Sequence, residues 1–189
     1  MNIQTPRLLL RRPSMDDLTD LFTIYGDPAT NTFNPEGPFP SWAYAEQKLT
    51  EWLTHWQENG FGMWAISTHQ EPEHIIGFSG LTHRDFADRH IINLGYRLMV
   101  KAWGKGYATE AAKAMLAAGF EQLALTAISA NARVHHLASQ HVLLKAGFDY
   151  IETIQDRLDA PLSHFYQLTP SRWRKKTSAQ QSEQLCYSD

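Results

Sequence analysis

The chain has 189 residues, of which 43% are hydrophobic and 20% are charged, and its formal net charge is −3. This composition is ordinary for a globular protein, and the small negative charge gives no general attraction to DNA or to an anionic membrane. The sequence contains no run of about 18 apolar residues, and its single cysteine, Cys186, excludes a disulfide within the chain. Because the start lacks a signal-peptide pattern, we expect a cytoplasmic protein. We predict one domain over residues 1–176 and a polar, disordered tail over residues 177–189.

The N-terminal half of the chain predicts alternating strands and helices. Ser14 and Ser41 stand where helices begin, since a serine hydroxyl can accept a hydrogen bond from a free N–H group of the first turn. Between the two helices, residues 29–40 contain three prolines and predict an irregular loop. The predicted elements are a strand at 8–11, helices at 14–25 and 41–59, and strands at 62–68 and 74–82.

The C-terminal half predicts one β–α–β crossover followed by a closing hairpin. Its predicted elements are strands at 92–100, 128–134, 148–157 and 163–168, and helices at 106–123 and 137–146. The complete order, β α α β β β α β α β β, mixes antiparallel strands with a parallel crossover. We therefore predict an α+β (mixed α/β) architecture.

The turn between the strand at 92–100 and the helix at 106–123 is the strongest local signal of a binding site. Gly104 and Gly106 lack a Cβ atom, so a ligand can approach the backbone closely. The start of the helix leaves N–H groups without partners, and these favour an anion, most often a phosphate. Because position 109 is Thr, the pattern is neither G-x-G-x-x-G nor a P-loop. A nucleoside triphosphate or dinucleotide site is therefore disfavoured.

Three separated motifs occur in a characteristic order. The chain opens with Thr5-Pro-Arg-Leu-Leu-Leu-Arg11, and Lys101-Ala-Trp-Gly-Lys-Gly106 leads into Tyr107-Ala-Thr-Glu-Ala111. The third motif is His136-Leu-Ala-Ser139, followed by Lys145-Ala-Gly-Phe148. Over residues 5–170 these motifs resemble the GNAT N-acetyltransferase superfamily, in particular its RimJ/RimL branch, which acetylates the N-termini of ribosomal proteins. That branch has Asn at the position of His136.

The resemblance implies a fold and a co-substrate. The fold is a mostly antiparallel twisted sheet that is flanked by four helices and splits like a V between its fourth and fifth strands. Acetyl-CoA would place its pantetheine arm in the split and its pyrophosphate on the glycine turn. The residues implied for CoA binding are Leu98, Met99, Val100, Lys101, Trp103, Gly104, Lys105, Gly106, Tyr107, Ala108 and Asn131.

The resemblance also draws attention to the proton acceptor. Many relatives carry a glutamate where this chain has Asn93, which cannot act as a general base. An α-amine has a pKa of about 7.7–8.0 and a lysine side chain about 10.4, so only the lysine needs strong assistance near neutral pH. Either the acceptor is an easily deprotonated amine, or His83, Asp85 or His136 takes the proton through water.

The proton donor for the departing thiolate is a separate question. Many family members use a tyrosine four residues before Gly147, where this chain has Leu143. In the RimJ/RimL branch the serine at the position of Ser139 can take this role. The alternative is that the Ser139 hydroxyl only caps the first turn of its own helix.

The expected function is acetyl transfer from acetyl-CoA to a primary amine, a protein N-terminus, by direct transfer in a ternary complex. The catalytic residues expected are Asn93, His136 and Ser139, and the spacing of the nine histidines predicts no metal site. Two alternatives stay open: a small-molecule acceptor such as a polyamine, amino acid or antibiotic, and a CoA-binding module without activity. A homodimer also stays open, as does contact of the basic segment 172–176 with RNA or the ribosome rather than with solvent alone.

Overall fold

A computed structural model describes residues 2–186, with side chains described as far as residue 178. The strands are β1 (Asn2–Gln4), β2 (Leu8–Arg11), β3 (Met63–Thr68), β4 (Gly77–Phe86), β5 (Arg89–Leu98), β6 (Ile128–Arg133), β7 (Asp149–Ile154) and β8 (Ser163–Leu168). The helices are α1 (Leu18–Tyr25), α2 (Trp42–Asn59), α3 (Tyr107–Ala117), α4 (Leu137–Ala146) and α5 (Pro170–Cys186). None of these helices is both long enough and apolar enough to cross a membrane.

The strands form a single sheet in the order β1-β2-β3-β4-β5-β6-β8-β7. Neighbouring strands are antiparallel except β5 and β6, which are parallel and share one register pair, Asn93 with Ser129. Beyond this pair the two strands separate, so the edge of β5 from Leu94 to Leu98 has no strand partner on the β6 side. The mixed α+β fold with a split sheet is therefore confirmed. Because β1 was not predicted, the split lies between the fifth and sixth strands.

Helices cover both faces of the sheet, and the two larger of three apolar clusters lie between the helices and the sheet. One apolar cluster joins the sheet to α3 and α4, and it contains Leu94, Leu98, Ala111, Met115 and Leu143. A second cluster joins the opposite face to α1 and α2, and it contains Leu21, Ile24, Leu49, Ala65 and Phe78. Since successive side chains of a strand point to opposite faces, Asn93 and Arg97 lie on the α1/α2 face.

The C-terminal helix α5 corrects two predictions. Four helices and a disordered segment from residue 177 were expected, but α5 continues to Cys186, and residues 187–189 lie outside the described residues. Pro170 at the first helical position, together with Lys, Gln and Ala, favours a helix without needing an apolar stripe.

The basic segment at the start of α5 is not simply solvated. The ring centroid of Trp173 lies 6.0 Å from that of Phe120. Lys176 Nζ donates to the carbonyl of Gly147 and to Asp149 Oδ1, both at 2.7 Å. These contacts fix the first turns of α5 against the body of the protein.

The β4–β5 hairpin is longer than predicted. A polar turn was expected at 85–89, but β4 continues to Phe86 and β5 begins at Arg89. Only two residues turn the chain, and one of them, Ala87, has a φ of 54°. The longer hairpin places Arg84 within β4, where it pairs with Ile91 of β5.

Candidate active site

A cleft opens where β5 and β6 separate, with a volume of about 960 Å³. Small-molecule sites usually occupy roughly 300–1,000 Å³, so the cleft can hold a large ligand. Its walls combine segments that are far apart in the sequence. They are the loop 29–36, Arg84, residues 93–98 of β5, the turn around 102–109, residues 130–133 of β6, the start of α4 and Arg157.

The glycine turn has the geometry of an anion site. Gly104 and Gly106 have φ values of 72° and 80°, a left-handed conformation that side chains rarely adopt. A Cβ atom on Gly104 would meet no protein atom within 4 Å, so the space above it is open to a ligand. The first bond across the start of α3 runs from Glu110 N–H to the carbonyl of Gly106, which leaves the N–H groups of residues 107–109 without helical partners. These features fit the pyrophosphate of CoA.

The N-terminal motif supports this turn from behind. Arg7 Nε donates to Glu110 Oε2, and Arg7 Nη1 donates to the carbonyl of Lys105, both at 2.7 Å. Thr5 Oγ1 donates to Glu110 Oε1 at 2.6 Å. Burial alone would raise the pKa of Glu110, but the hydrogen bonds from Thr5 and Arg7 outweigh it and lower that pKa. The carboxylate therefore stays charged and holds the turn to β2.

Four residues that were expected to contact CoA do not line the cleft: Met99, Val100, Lys101 and Lys105. The N–H group of Met99 donates to the carbonyl of Ile76, and its own carbonyl accepts from Ala102, both at 2.9 Å. Its backbone groups are therefore occupied. Residues 100–102 form one turn of 3-10 helix, which ends the extended backbone that a pantetheine arm would follow.

The remaining residues expected at CoA do line the cleft. They are Leu98, Trp103, Gly104, Gly106, Tyr107, Ala108 and Asn131. Trp103 Nε1 donates to the carbonyl of Leu98 at 2.9 Å, so that carbonyl already has a partner. Asn131 lies on β6, and its Oδ1 accepts from Arg84 Nη1 at 3.2 Å. The Asn131 side chain therefore lies on the α1/α2 side of the cleft, beside Arg84, and not beside the glycine turn.

Ser139 is paired with a residue that the sequence analysis did not identify, Tyr96. The Ser139 hydroxyl lies 2.8 Å from the Tyr96 hydroxyl, which also donates to the Ser139 carbonyl at 3.1 Å. Both residues line the cleft, and burial raises the pKa of Tyr96 far above its usual value. Tyr96 therefore remains protonated and donates to Ser139. No described hydrogen bond joins the Ser139 hydroxyl to the backbone of α4, so the capping alternative has no support in the geometry.

Asn93 lines the cleft and carries a buried side-chain oxygen that has no partner among the described residues. Only 7% of its surface is exposed, and no described atom donates a hydrogen bond to its Oδ1. Leaving such an oxygen unsatisfied costs about 1–3 kcal/mol, so a bound donor is favoured. Less than 1 Å² of this oxygen is exposed, so a donor in the cleft can reach it only after the side chain turns.

Of the three candidate bases, only His136 lines the cleft. Its ring stacks on Phe33 with centroids 4.1 Å apart. Burial lowers the pKa of His136, and the nearby charge of Arg97 lowers it further, so the ring is neutral at physiological pH.

The other two candidate bases, His83 and Asp85, belong to a hydrogen-bonded chain outside the cleft lining. His83 Nδ1 lies 3.1 Å from His90 Nε2, and His90 Nδ1 lies 2.8 Å from Asp85 Oδ1. Neither residue is therefore in place to receive a proton from an amine in the cleft. Among the described side chains, no cluster of histidine, cysteine and acidic residues is suited to a metal ion.

The comparison with protein families decides the identification. Residues 7–149 match the model of the acetyltransferase (GNAT) domain. The chain belongs to the GNAT acetyltransferase family. It is therefore an acetyltransferase that uses acetyl-CoA, and the alternative of a CoA-binding module without activity is set aside.

Relatives of this GNAT protein include enzymes with different acceptors. The N-acetyltransferase YoaA of Bacillus subtilis is 26% identical over 148 residues, which cover 77% of this chain and 81% of YoaA. RimL, a ribosomal L7/L12 α-N-protein acetyltransferase solved with coenzyme A, superimposes with a TM-score of 0.77 at 16% identity, covering 89% of this chain and 98% of RimL. Spermidine N-acetyltransferase from Vibrio cholerae, solved with CoA and spermine, gives a TM-score of 0.74 at 17% identity, with coverages of 89% and 99%. These structural similarities establish the fold and leave the acceptor open.

Proposed function

We propose that this GNAT protein acts in the cytoplasm as a RimJ/RimL-type enzyme that acetylates an α-amine, a protein N-terminus. The observation that carries the proposal is Asn93, a buried amide with an unsatisfied oxygen where many relatives have a carboxylate. An amide oxygen can accept a hydrogen bond from a neutral amine, but it cannot remove a proton. The site therefore suits an amine with a substantial neutral fraction near pH 7.5, which is about 25–40% for an α-amine and about 0.1% for a lysine side chain.

The reaction needs one bond to form and one to break. The amine nitrogen attacks the thioester carbonyl carbon, the C–S bond breaks with its electron pair on sulfur, and the products are the acetylated amine and the CoA thiol. The amine loses one proton and the thiolate gains one. We assign the first proton to His136, whose neutral ring lines the cleft and can accept a proton through water.

The second proton is assigned to Ser139. The single hydrogen of the protonated Tyr96 hydroxyl lies within reach of both the carbonyl and the hydroxyl oxygen of Ser139; when it is donated to the hydroxyl oxygen, the Ser139 hydrogen can point into the cleft. Ser139 is not suited to form an acetyl-enzyme, since its described partner is a tyrosine rather than a base. Cys186 is the only thiol of the chain, and its side chain lies outside the described residues. We therefore assign direct transfer within a ternary complex.

Two matched peptides test the proposal. One has a free N-terminus and an acetylated lysine side chain, and the other has an acetylated N-terminus and a free lysine. Release of the CoA thiol near pH 7.5 gives kcat/KM for each peptide, and we expect at least a tenfold preference for the free N-terminus. Equal rates, or a preference for the lysine peptide, would contradict an α-amine acceptor.

A further inference from the structure

The α1/α2 side of the cleft, where the acceptor would bind, carries more cationic than anionic side chains. Within the described part of the chain, the only acidic residue that lines the cleft is Glu36. Four arginines line the same cleft: Arg84, Arg97, Arg133 and Arg157. Whether these charges can attract a ligand depends on which of them already have acidic partners.

Two of the arginines are neutralised within the protein. Arg133 binds Asp156 through both terminal nitrogens, at 2.7 and 3.1 Å, and this pair is buried. Arg157 lies 3.2 Å from Asp159 and 3.2 Å from Glu36. The single acidic side chain of the cleft is therefore already engaged.

The other two arginines form no ion pair within 4 Å among the described residues, although the charges of Asp156 and Glu36 act on Arg84 from farther away. Arg84 donates to Asn131 Oδ1 and lies over the ring of Phe86, with its guanidinium carbon 5.8 Å from the ring centroid. Arg97 donates to Asn31 Oδ1 and lies 4.4 Å from the centroid of the Tyr25 ring. A guanidinium matches a carboxylate in shape and can bind it through two parallel hydrogen bonds.

Both unpaired guanidinium groups share the face of the sheet that carries Asn93. In the β4–β5 hairpin Arg84 is opposite Ile91, two residues from Asn93 on the same face. Arg97 lies four residues farther along β5 than Asn93, about 13 Å away at roughly 3.3 Å per residue. Asn93 therefore lies between two cations on this face, with Arg84 near it and Arg97 farther away.

We propose that the acceptor carries a carboxylate beside its reacting amine and that Arg84 binds this carboxylate. This inference rests on the proposed function, with the amine donating to Asn93 Oδ1. The same charges exclude polyamines, because a second ammonium group would face Arg84 or Arg97 with no free acid to neutralise it. The carboxylate can belong to an acidic residue near a peptide N-terminus or to a free amino acid.

Acceptors that differ only in charge test the inference. The peptides are Ala-Glu amide and Ala-Gln amide, and free glutamate and glutamine amide, which has no carboxylate, serve as the small-molecule arm. For the wild-type protein we expect kcat/KM to be at least tenfold higher for the acceptor of each pair that carries the carboxylate. Faster turnover of Ala-Glu amide than of free glutamate identifies a peptide as the source of the carboxylate, and the reverse identifies a free amino acid.

Variants assign the preference to one guanidinium. In Arg84→Gln we expect the preference to fall below threefold, and Arg84→Lys should retain part of the preference. Arg89→Gln is the matched control, because Arg89 lies on the same sheet outside the cleft and pairs with Glu152 at 2.6 Å. Melting temperatures establish that the variants are folded. Equal rates on both acceptors in the wild type, or an unchanged preference in Arg84→Gln, would overturn the inference.

A binding measurement separates this inference from the proposed function. Calorimetric titration of the CoA-bound protein with N-acetyl-Ala-Glu amide needs no turnover. If no amine is acetylated but this product binds in an Arg84-dependent manner, the proposed function is wrong and the carboxylate site stands. If α-amines are acetylated without regard to the carboxylate, the function stands and the site is wrong. If neither turnover nor Arg84-dependent binding occurs, both are wrong.

Discussion

The two ends of the cleft are built in different ways. The end that fits the CoA pyrophosphate consists of backbone from one continuous segment, residues 102–109, with two glycines in left-handed conformation. The acceptor end consists of side chains from separate segments, such as Arg84 on β4, Asn93 on β5 and Phe33 in a loop. A backbone site depends on fixed glycines and on their place before a helix, whereas a side-chain site can change without altering the fold. Consistent with this, one fold is shared by RimL and by a spermidine acetyltransferase.

The largest effect is expected from Gly106→Val at the backbone end. Valine is strained at a φ of 80°, and its Cβ atom would lie 3.2 Å from Arg7 Nη2. CoA affinity should fall by well over tenfold, which is more than ~1.4 kcal/mol of binding free energy. Isothermal titration calorimetry measures this loss, while carboxylate preference among acceptors should not change.

Gly60→Val is the matched control, since Gly60 also has a left-handed φ, 73°, but lies at the end of α2 outside the cleft. Both variants should lose stability, and only Gly106→Val should lose CoA affinity. A folded Gly106→Val protein that binds CoA like the wild type would remove the glycine turn from the site.

A smaller effect is expected from Ser139→Ala, at the point where the two ends of the cleft meet. Turnover should fall about tenfold with CoA affinity unchanged, below the usual ~10²–10⁴-fold of general acid catalysis, because a thiolate with a pKa near 8.5 leaves readily. Tyr96→Phe should reduce turnover less, since Ser139 keeps its own hydroxyl. Single-turnover rates and melting temperatures are measured on the same preparations. A destabilised Ser139→Ala protein with wild-type single-turnover chemistry would make Ser139 purely structural.

The smallest effect is expected from His136→Gln, and it concerns pH dependence. Because burial and Arg97 lower the pKa of His136, the ring becomes protonated only below its ordinary value of 6.5. In a plot of log kcat/KM against pH for an α-amine peptide, the wild type should have a slope of about 2 below the pKa of His136, where both His136 and the amine must lose a proton. Between that pKa and the amine pKa near 8, the slope should be about 1. In His136→Gln the slope should stay near 1 throughout, with a severalfold loss of rate at pH 7.5. Identical profiles would exclude His136 as the proton acceptor.

The backbone end was accessible from the sequence because its signals are local. A strand, two glycines and a helix follow one another within a few residues, and the structure has this order. The neighbouring residues that do not line the cleft are held by tertiary contacts, since the bond from Met99 to Ile76 and the 3-10 turn after it have no signature in the motif itself. The helix α5 was missed because few of its side chains are apolar, and the contact of Trp173 with Phe120 cannot be inferred from spacing.

The acceptor end was accessible only in part. Asn93, His136 and Ser139 were identified through the resemblance, but their partners lie far away in the sequence. Tyr96 and Ser139 are 43 residues apart, and Arg84 and Asn131 are 47 apart. Which arginines lack an acidic partner depends on the packing of β6, β7 and the loop at 29–40, which residue patterns along the chain do not encode.

The central claim is that one cleft holds CoA at its backbone end and the acceptor amine at Asn93 at the same time. The most direct test is the affinity of a conjugate in which the CoA sulfur is joined through an acetyl group to the α-amine of an Ala-Glu peptide. Because the linked acceptor adds its own contacts without a second loss of translational freedom, the conjugate should bind at least tenfold more tightly than CoA in calorimetric titration. This gain should shrink in Arg84→Gln. A conjugate that binds no better than CoA would show that the two groups do not occupy one continuous site.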